Sequence, residues 1–376
     1  MSLINWNTGT LGEPVQDPNR LSLAFCADWA PIRLLGPRIV EQPGSLYSAD
    51  LSAVLEVADY RIVNVEAVLH AGTDSLTPAI KEGPPLIGPA EAVEDLVRGG
   101  FDIGLLGNNH TCDFGSQGLR ETRAALEARG IRTCGSGSSQ DDAYAGTVLS
   151  GKGFEVALVN FKEGEEGCWP ERTPEVAGWD LDRVCDSIRA HREAGRLVIA
   201  LPHADREFLP FPLPYVQAAY RRLVDAEGNL VIAHHPHVPR GIEQYKGAPV
   251  FYSQGNFLFW QDHPGLFRKL GYVLTVDLDS GGRFQCRLHP YRIGEDGIHL
   301  LTTKQREWFF SELESVSSFG TPYPSLDDWM HAAIDAIPLD DWFRSCTGMD
   351  YGMKLMEERN PVGLARLRTR LSNLAH

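Results

Sequence analysis

The chain has 376 residues, 43% of them hydrophobic and 9% aromatic, which excludes a disordered protein and leaves room for one large domain or two medium ones. Lys+Arg number 35 against 50 Asp+Glu, a net charge of -15, and this balance speaks against a nucleic-acid partner, because phosphate contacts need clustered Lys and Arg. The 7 cysteines are scattered and form no C-x-x-C pair, so neither a disulfide framework nor a zinc knuckle is expected. Residues 1–20 hold no apolar run of the secretory type, and nothing approaches the roughly 18 apolar residues of a membrane span. The expectation is a cytoplasmic protein with reduced thiols and no membrane partner.

The apolar pattern predicts short strands alternating with helices. Leu21 to Ala27 reads as a buried strand, Ala49 to Ala58 as a helix, and Arg61 to Val65 as the next strand. Pro89 to Arg98 reads as a helix with Pro in its first turn, Phe101 to Leu106 as a strand, and Ser116 to Arg129 as an amphipathic helix stopped by Gly130. Further short apolar runs follow at Glu155 to Phe161, Leu197 to Leu201, Leu230 to Ala233 and Val250 to Ser253. Helices are expected between them, near Leu181 to Glu193 and Pro214 to Ala226. From Tyr272 the pattern turns to longer alternating strands, Tyr272 to Leu278 and Arg283 to Ile293, and beyond Thr302 to a helical tail. This alternation predicts an α/β layer architecture: a domain over residues 1–300, and a helical C-terminal extension over 301–376 packed on it. Lys162 to Trp179 is a long acidic, turn-rich stretch carrying Trp169. Loops of that length are either binding loops or solvated excursions.

Polar residues gather where the predicted strands end, which is the edge at which open α/β sheets bind ligands. The first strand ends in Asp28, the second in Asn64-Val65-Glu66, and the third in Asn108-Asn109-His110 with Asp113 behind. Leu197 to Leu201 runs into His203, with Asp205 and Glu207 close by, and Leu230 to Ala233 runs into His234-His235-Pro236-His237. A lone Asp or His at such a place is ordinarily a turn, a cap or a satisfied core residue. The ordered set of carboxylate, carboxylate, amide and imidazoles is a set of metal-ligand types. His235 and His237, as alternate strand residues, are expected to share a face and chelate one ion.

These residues resemble the calcineurin-like metallophosphoesterases, and more closely their CapA-like branch, named for poly-γ-glutamate capsule synthesis. The motifs that carry the resemblance are Asp28, Asn64 with Glu66, Asn108-Asn109-His110-Thr111-Cys112-Asp113-Phe114-Gly115 with Gly118, His203 with Glu207, His235-Pro236-His237-Val238, and Tyr252-Ser253-Gln254-Gly255-Asn256-Phe257. The resemblance covers roughly residues 20–295 and leaves out the helical tail. It implies a two-sheet sandwich flanked by helices. It implies Asp28, Glu66, Asn109, His203, His235 and His237 as ligands of a divalent ion (Ca, Mn, Mg or Zn, at one or two sites), with no organic cofactor. His110 becomes the acid/base residue. Asp113 either orients that imidazole or caps the helix near Ser116.

Three departures stand out. The usual Asp-x-His opening is Asp28-Trp29-Ala30, the bridging Asp is Glu66, and His-x-Gly-x-Glu is His203-Ala204-Asp205-Arg206-Glu207. One metal position is therefore expected to be weakened or to suit a hard, oxygen-loving ion.

Three functions follow from the resemblance. One is metal-dependent hydrolysis of an amide, γ-glutamyl or phosphoester bond. A second is epimerisation at the Cα of a C-terminal residue of a ribosomal peptide, as in a cytosolic subset of CapA-like proteins that accompanies lasso-peptide biosynthesis. The third is a non-catalytic capsule-assembly role. Without an export signal the reading favours a peptide substrate and epimerisation slightly over hydrolysis. That chemistry needs two proton carriers: His110 (assisted by Asp28) and one of His203, His263 or His289. Trp29, Trp169, Glu207 and Asn256 are the expected substrate contacts. The oligomeric state is left open.

Overall fold

The computed structural model describes residues 4–72, 75–79, 81, 83–163, 175–209, 211–262 and 266–317. The predicted α/β architecture is what the chain adopts: two mixed sheets face each other and helices cover their outer faces.

The first sheet is built around four parallel strands in chain order, Leu21–Trp29, Tyr60–Val65, Ile103–Leu105 and Arg132–Cys134. On its other side Leu270–Leu278 pairs antiparallel with Leu21–Trp29, followed by Phe284–Gly294. The second sheet carries Phe154–Lys162, Leu197–His203, Leu230–Ile232 and Ala248–Phe251 in parallel, with Thr147–Gly151 and Ile242–Tyr245 as antiparallel edges.

The two-residue period of a strand divides its side chains between layers. Leu23 and Phe25 point into the space between the sheets, where Val156, Leu158, Ile199, Leu201, Leu230 and Ile232 meet them. Ala24 and Cys26 point the other way, under Leu51, Leu55, Leu96, Leu119 and Leu126 of the covering helices. Val198 and Ala200 do the same in the second sheet, under Val184, Ile188, Val216 and Leu223. Strands buried on both faces read as continuous apolar runs, which is why these were visible in the sequence.

Several elements differ from the expectation. Pro89 ends a short strand, Ile87–Pro89, paired with Val68–His70, and the helix proper is Val93–Arg98. Arg132–Cys134, Thr147–Gly151, Ile242–Tyr245 and Gly297–Leu300 are strands that the pattern did not show, being short or lying at edges. After residue 302 the helix Thr303–Ser317 lays Phe309, Phe310, Leu313 and Val316 into the inter-sheet core. Among the described residues no helix is long and apolar enough to cross a membrane. Cys26, Cys112, Cys134, Cys185 and Cys286 are buried free thiols.

Candidate metal centre

Five parallel strands of the two sheets deliver their C-terminal ends to one place. Asp28 arrives through a bulge. The register against Tyr60–Val65 shifts between Cys26 and Asp28, so Ala27 has no partner and the Asp28 carboxylate turns toward the strand end. Glu66 follows directly after Val65 and is pinned by its N–H, which donates to Trp29 O at 2.9 Å. Asn109 and His110 lie in the turn after Ile103–Leu105, and His203 closes Leu197–His203.

His235 and His237 lie beyond the end of Leu230–Ile232, with positive φ of 99° and 57°. Left-handed non-glycine residues cost about 1–3 kcal/mol each and persist where surrounding contacts over-determine them. The two imidazoles are thus brought together by this turn and not by strand alternation, which corrects that part of the sequence reading.

The side chains converge on the Glu66 carboxylate. Glu66 Oε1 is 3.5 Å from His203 Nε2 and 3.5 Å from His237 Nε2. His203 Nε2 lies 2.7 Å from Asn109 Oδ1 and 3.1 Å from His235 Nδ1. His237 Nδ1 is 3.3 Å from Asp28 Oδ2. Two groups of ligand atoms result, Asp28–Glu66–His203 and Glu66–His235–His237, and Glu66 belongs to both. Asn64 holds the carboxylates in place, its amide donating to Asp28 Oδ1 at 2.8 Å and Glu66 Oε2 at 3.4 Å. Asn256 Oδ1 accepts from His237 Nδ1 at 2.8 Å, which leaves Nε2 to face Glu66.

A divalent cation fits this set on the chemistry of the donors and on two orphaned atoms. Asp28 Oδ2 and Glu66 Oε1 are buried carboxylate oxygens that receive no hydrogen bond. A buried carboxylate oxygen left without a partner is costly unless a cation meets it. Burial, with Asp28 and Glu207 nearby, pushes the Glu66 carboxyl well above the usual carboxylate range. Burial and neighbouring imidazoles hold His203 and His235 well below the usual histidine range, in the neutral form that ligates metals. Burial opposes protonation of His237 as well, but Asp28 and Glu207 beside it outweigh that and raise it.

His110 stands at the rim. Its Nδ1 is 2.6 Å from Asp113 Oδ2, and its Nε2 is 4.0 Å from Glu66 Oε1. Asp113 also accepts from Lys81 Nζ at 2.7 Å and from Leu86 N–H at 2.6 Å. The helix Gly115–Glu127 starts after Phe114 without any side-chain cap, so Asp113 orients the imidazole and does not cap. A cleft of about 280 Å³ opens over the cluster, lined by His110, Asn109, His237, Glu207, Phe208 and Arg268 among others.

The other expected site residues divide. Trp29 is fully buried and its indole N–H donates to Asp95 Oδ2 at 3.0 Å, so it packs in the core and has no face toward a substrate. Asn256 is fully buried too, and positions His237 instead of touching substrate. His289 lies mid-strand on Phe284–Gly294, opposite Val273, and bonds Thr275 Oγ1 at 3.0 Å, so the sheet register keeps it out of the cluster. Glu207 does line the cleft, its side chain 39% exposed and 4.0 Å from His237 Nε2. Trp169 and His263 lie outside the described residues. Lys81, Arg33, Phe208, Phe259 and Arg268 were not singled out from sequence. They come from loops and single 3-10 turns with no periodic signal, and only Arg33, between Ile32 and Leu34, had a charge that stood out against apolar neighbours.

The chain is 27% identical over 255 residues to "Capsule biosynthesis protein CapA" of Bacillus anthracis, covering 65% of this chain and 61% of that protein. It is 27% identical over 233 residues to a "Probable polyglutamine synthesis accessory protein" of Mycobacterium tuberculosis, covering 56% of this chain and 61% of that one. It is 29% identical over 174 residues to "PGA biosynthesis protein CapA" of Bacillus subtilis, covering 46% of each. The chain spans less than two thirds of the length of each of these relatives. The bacterial capsule synthesis protein family PGA_cap matches residues 22–261, a stretch that holds every residue of the cluster, and the chain belongs to that family.

Proposed function

We propose that the chain is a metal-dependent hydrolase of an amide bond, peptide or γ-glutamyl. The observation that carries this reading is the Glu66 carboxylate shared by two ligand groups, an arrangement suited to a pair of cations. Divalent ions bound there would polarise the scissile carbonyl and make water nucleophilic near neutral pH. Asp28, Glu66, Asn109, His203, His235 and His237 would hold them.

The remaining work falls to this chain's own groups. His110 presents Nε2 to the cleft and delivers a proton to the leaving nitrogen. Asp113 accepts from Nδ1 and keeps the ring in that orientation, and Lys81 Nζ, 2.7 Å from the Asp113 carboxylate, fixes Asp113 in its place. Phe208 and Phe259 wall the cleft and limit water around the reacting bond. The relatives' names, which speak of capsule, PGA and polyglutamine synthesis, support an amide-linked substrate.

One observation favours a second reading, epimerisation at Cα of a residue in a ribosomal (lasso) peptide. Glu207 shares the cleft with His110, so one bound carbon has two proton carriers within reach. Mass spectrometry of the metal-loaded protein with a γ-glutamyl oligomer, and separately with a peptide bearing a free C-terminus, tests both. In H₂¹⁸O a cleavage product carrying one ¹⁸O supports hydrolysis. In D₂O one deuterium gained at Cα without cleavage overturns hydrolysis in favour of epimerisation. Neither product, with metal bound, overturns both and leaves a binding protein.

A further inference from the structure

His237 packs against two aromatic rings. The Phe259 centroid lies 4.7 Å from the imidazole centroid, and that of Phe208 lies 5.9 Å from it. Each ring carries an arginine. The Arg33 guanidinium lies 5.6 Å from the Phe259 centroid, and that of Arg268 lies 3.5 Å from the Phe208 centroid. Both arginines line the cleft that opens over His110 and His237.

This is an unusual place for two cations. The chain carries a net charge of -15, and the metal ligands below already favour positive charge at this spot. Arginine stacked on an aromatic face loses little freedom when it binds, and its planar fork matches a carboxylate. Arg33 sits at a positive φ of 52°, and among the described residues it hydrogen-bonds only through Nη1, to Trp260 O and Gln261 Oε1, each at 3.1 Å. Its Nε and Nη2 donors face no protein acceptor there. Gln261 also lines the cleft and so braces this arginine at the wall.

We propose that Arg33 and Arg268 form an anion subsite that receives a carboxylate of the substrate, one aromatic layer away from the metal ligand His237. The proposal rests on the hydrolase reading for the position of the reacting bond, and adds the class of substrate: an amide whose acyl or amine side bears a free carboxylate. Phe208 and Phe259 couple the two parts of the site, because each touches both a substrate-holding arginine and His237.

Calorimetric titration of the metal-loaded protein with acetyl-γ-glutamylglutamate, with its fully amidated analogue and with inorganic phosphate tests this. The free acid is expected to bind at least about tenfold more tightly than the amide. Arg33→Gln and Arg268→Gln are each expected to lose about tenfold on the acid and little on the amide, with the lysine variants in between and melting temperatures near wild type. Equal affinity for acid and amide, or arginine variants that bind the acid like wild type, overturns the subsite. Phosphate that binds more tightly than the acid and loses affinity in both variants overturns the carboxylate assignment. Acid-specific binding without turnover leaves the subsite standing and removes the hydrolase reading. Equal turnover of acid and amide substrates does the reverse.

Discussion

His110 Nδ1 and Asp113 Oδ2 lie 2.6 Å apart, both groups buried, three residues apart in one turn. That single contact decides which nitrogen of His110 faces the cleft. It also makes Asp113 the hub of a small buried network, because Lys81 Nζ and Leu86 N–H bind the same carboxylate. The segment that carries Lys81, Gly83 and Pro84, and so one wall of the cleft, is tied down through the residue that aims the imidazole.

Asp113→Asn is expected to lower turnover by about 10–100-fold while the metal content stays at the wild-type level. The change also takes the carboxylate charge away from the Lys81 ammonium, whose side chain is 1% exposed and which keeps Asn109 O as an acceptor at 3.1 Å, and should cost about 3–5 kcal/mol of stability. Denaturant unfolding beside metal analysis checks both. Metal loss equal to the activity loss would assign Asp113 to the metal cluster instead.

His110→Ala and His235→Ala should part company. Removing His110 takes away the proton carrier, about 10²–10⁴-fold in rate, with metal retained. Removing His235 takes a ligand that lies 3.1 Å from His203, and should lower metal content and melting temperature together. Elemental analysis and thermal melts of the two variants give the comparison. The same metal loss in both contradicts these roles.

Trp29→Phe separates a core residue from a substrate contact. Asp95 accepts from the Trp29 indole, from Tyr47 Oη at 2.5 Å and from Gly44 N–H at 2.8 Å. Losing the indole leaves a buried carboxylate short of one donor, a cost of about 1–3 kcal/mol. Unfolding should show that loss while KM stays at the wild-type value; a raised KM at unchanged stability would return Trp29 to the substrate.

His289 makes the fold sensitive to acid. Burial, with Arg287 and Arg306 nearby, lowers its pKa to about 4, below the ordinary histidine value. The unfolded chain therefore binds the proton first, and stability present above pH ~6.5 is lost as pH falls toward about 4. His289→Gln should remove about 2 kcal/mol of the stability difference between pH 7 and pH 4.5. Unfolding curves at the two pH values check it, and an unchanged difference contradicts it.

How much of this was legible in the sequence follows from what kind of signal each part leaves. Strands buried on both faces, such as Leu197–His203, write a continuous apolar run, so the polar residues at their ends stood out, and the family resemblance singled out Asp28, Glu66, Asn109, His203, His235 and His237 among them. Edge strands of three to five residues, such as Arg132–Cys134, write almost nothing. Roles that depend on which way a side chain turns were out of reach. Trp29 follows Asp28 directly, yet the bulge at Ala27 reverses the strand's alternation and sends it into the helix-covered core. Asn256 sits in a loop motif and acts on a ligand, not on substrate. The arginines on Phe208 and Phe259 come from segments far apart in the chain, and only the folded loops bring them over one histidine.

The claim on which the rest depends is that Glu66 is shared between cations. Elemental analysis of the protein and of Glu66→Gln, each dialysed against Mn²⁺, Zn²⁺ or Ca²⁺ and then desalted, tests it most directly. The account predicts about two equivalents of a divalent ion per chain in the wild type, and a fall to well under one in the variant. A wild type that retains no divalent ion, or a variant that keeps its full complement, would contradict it.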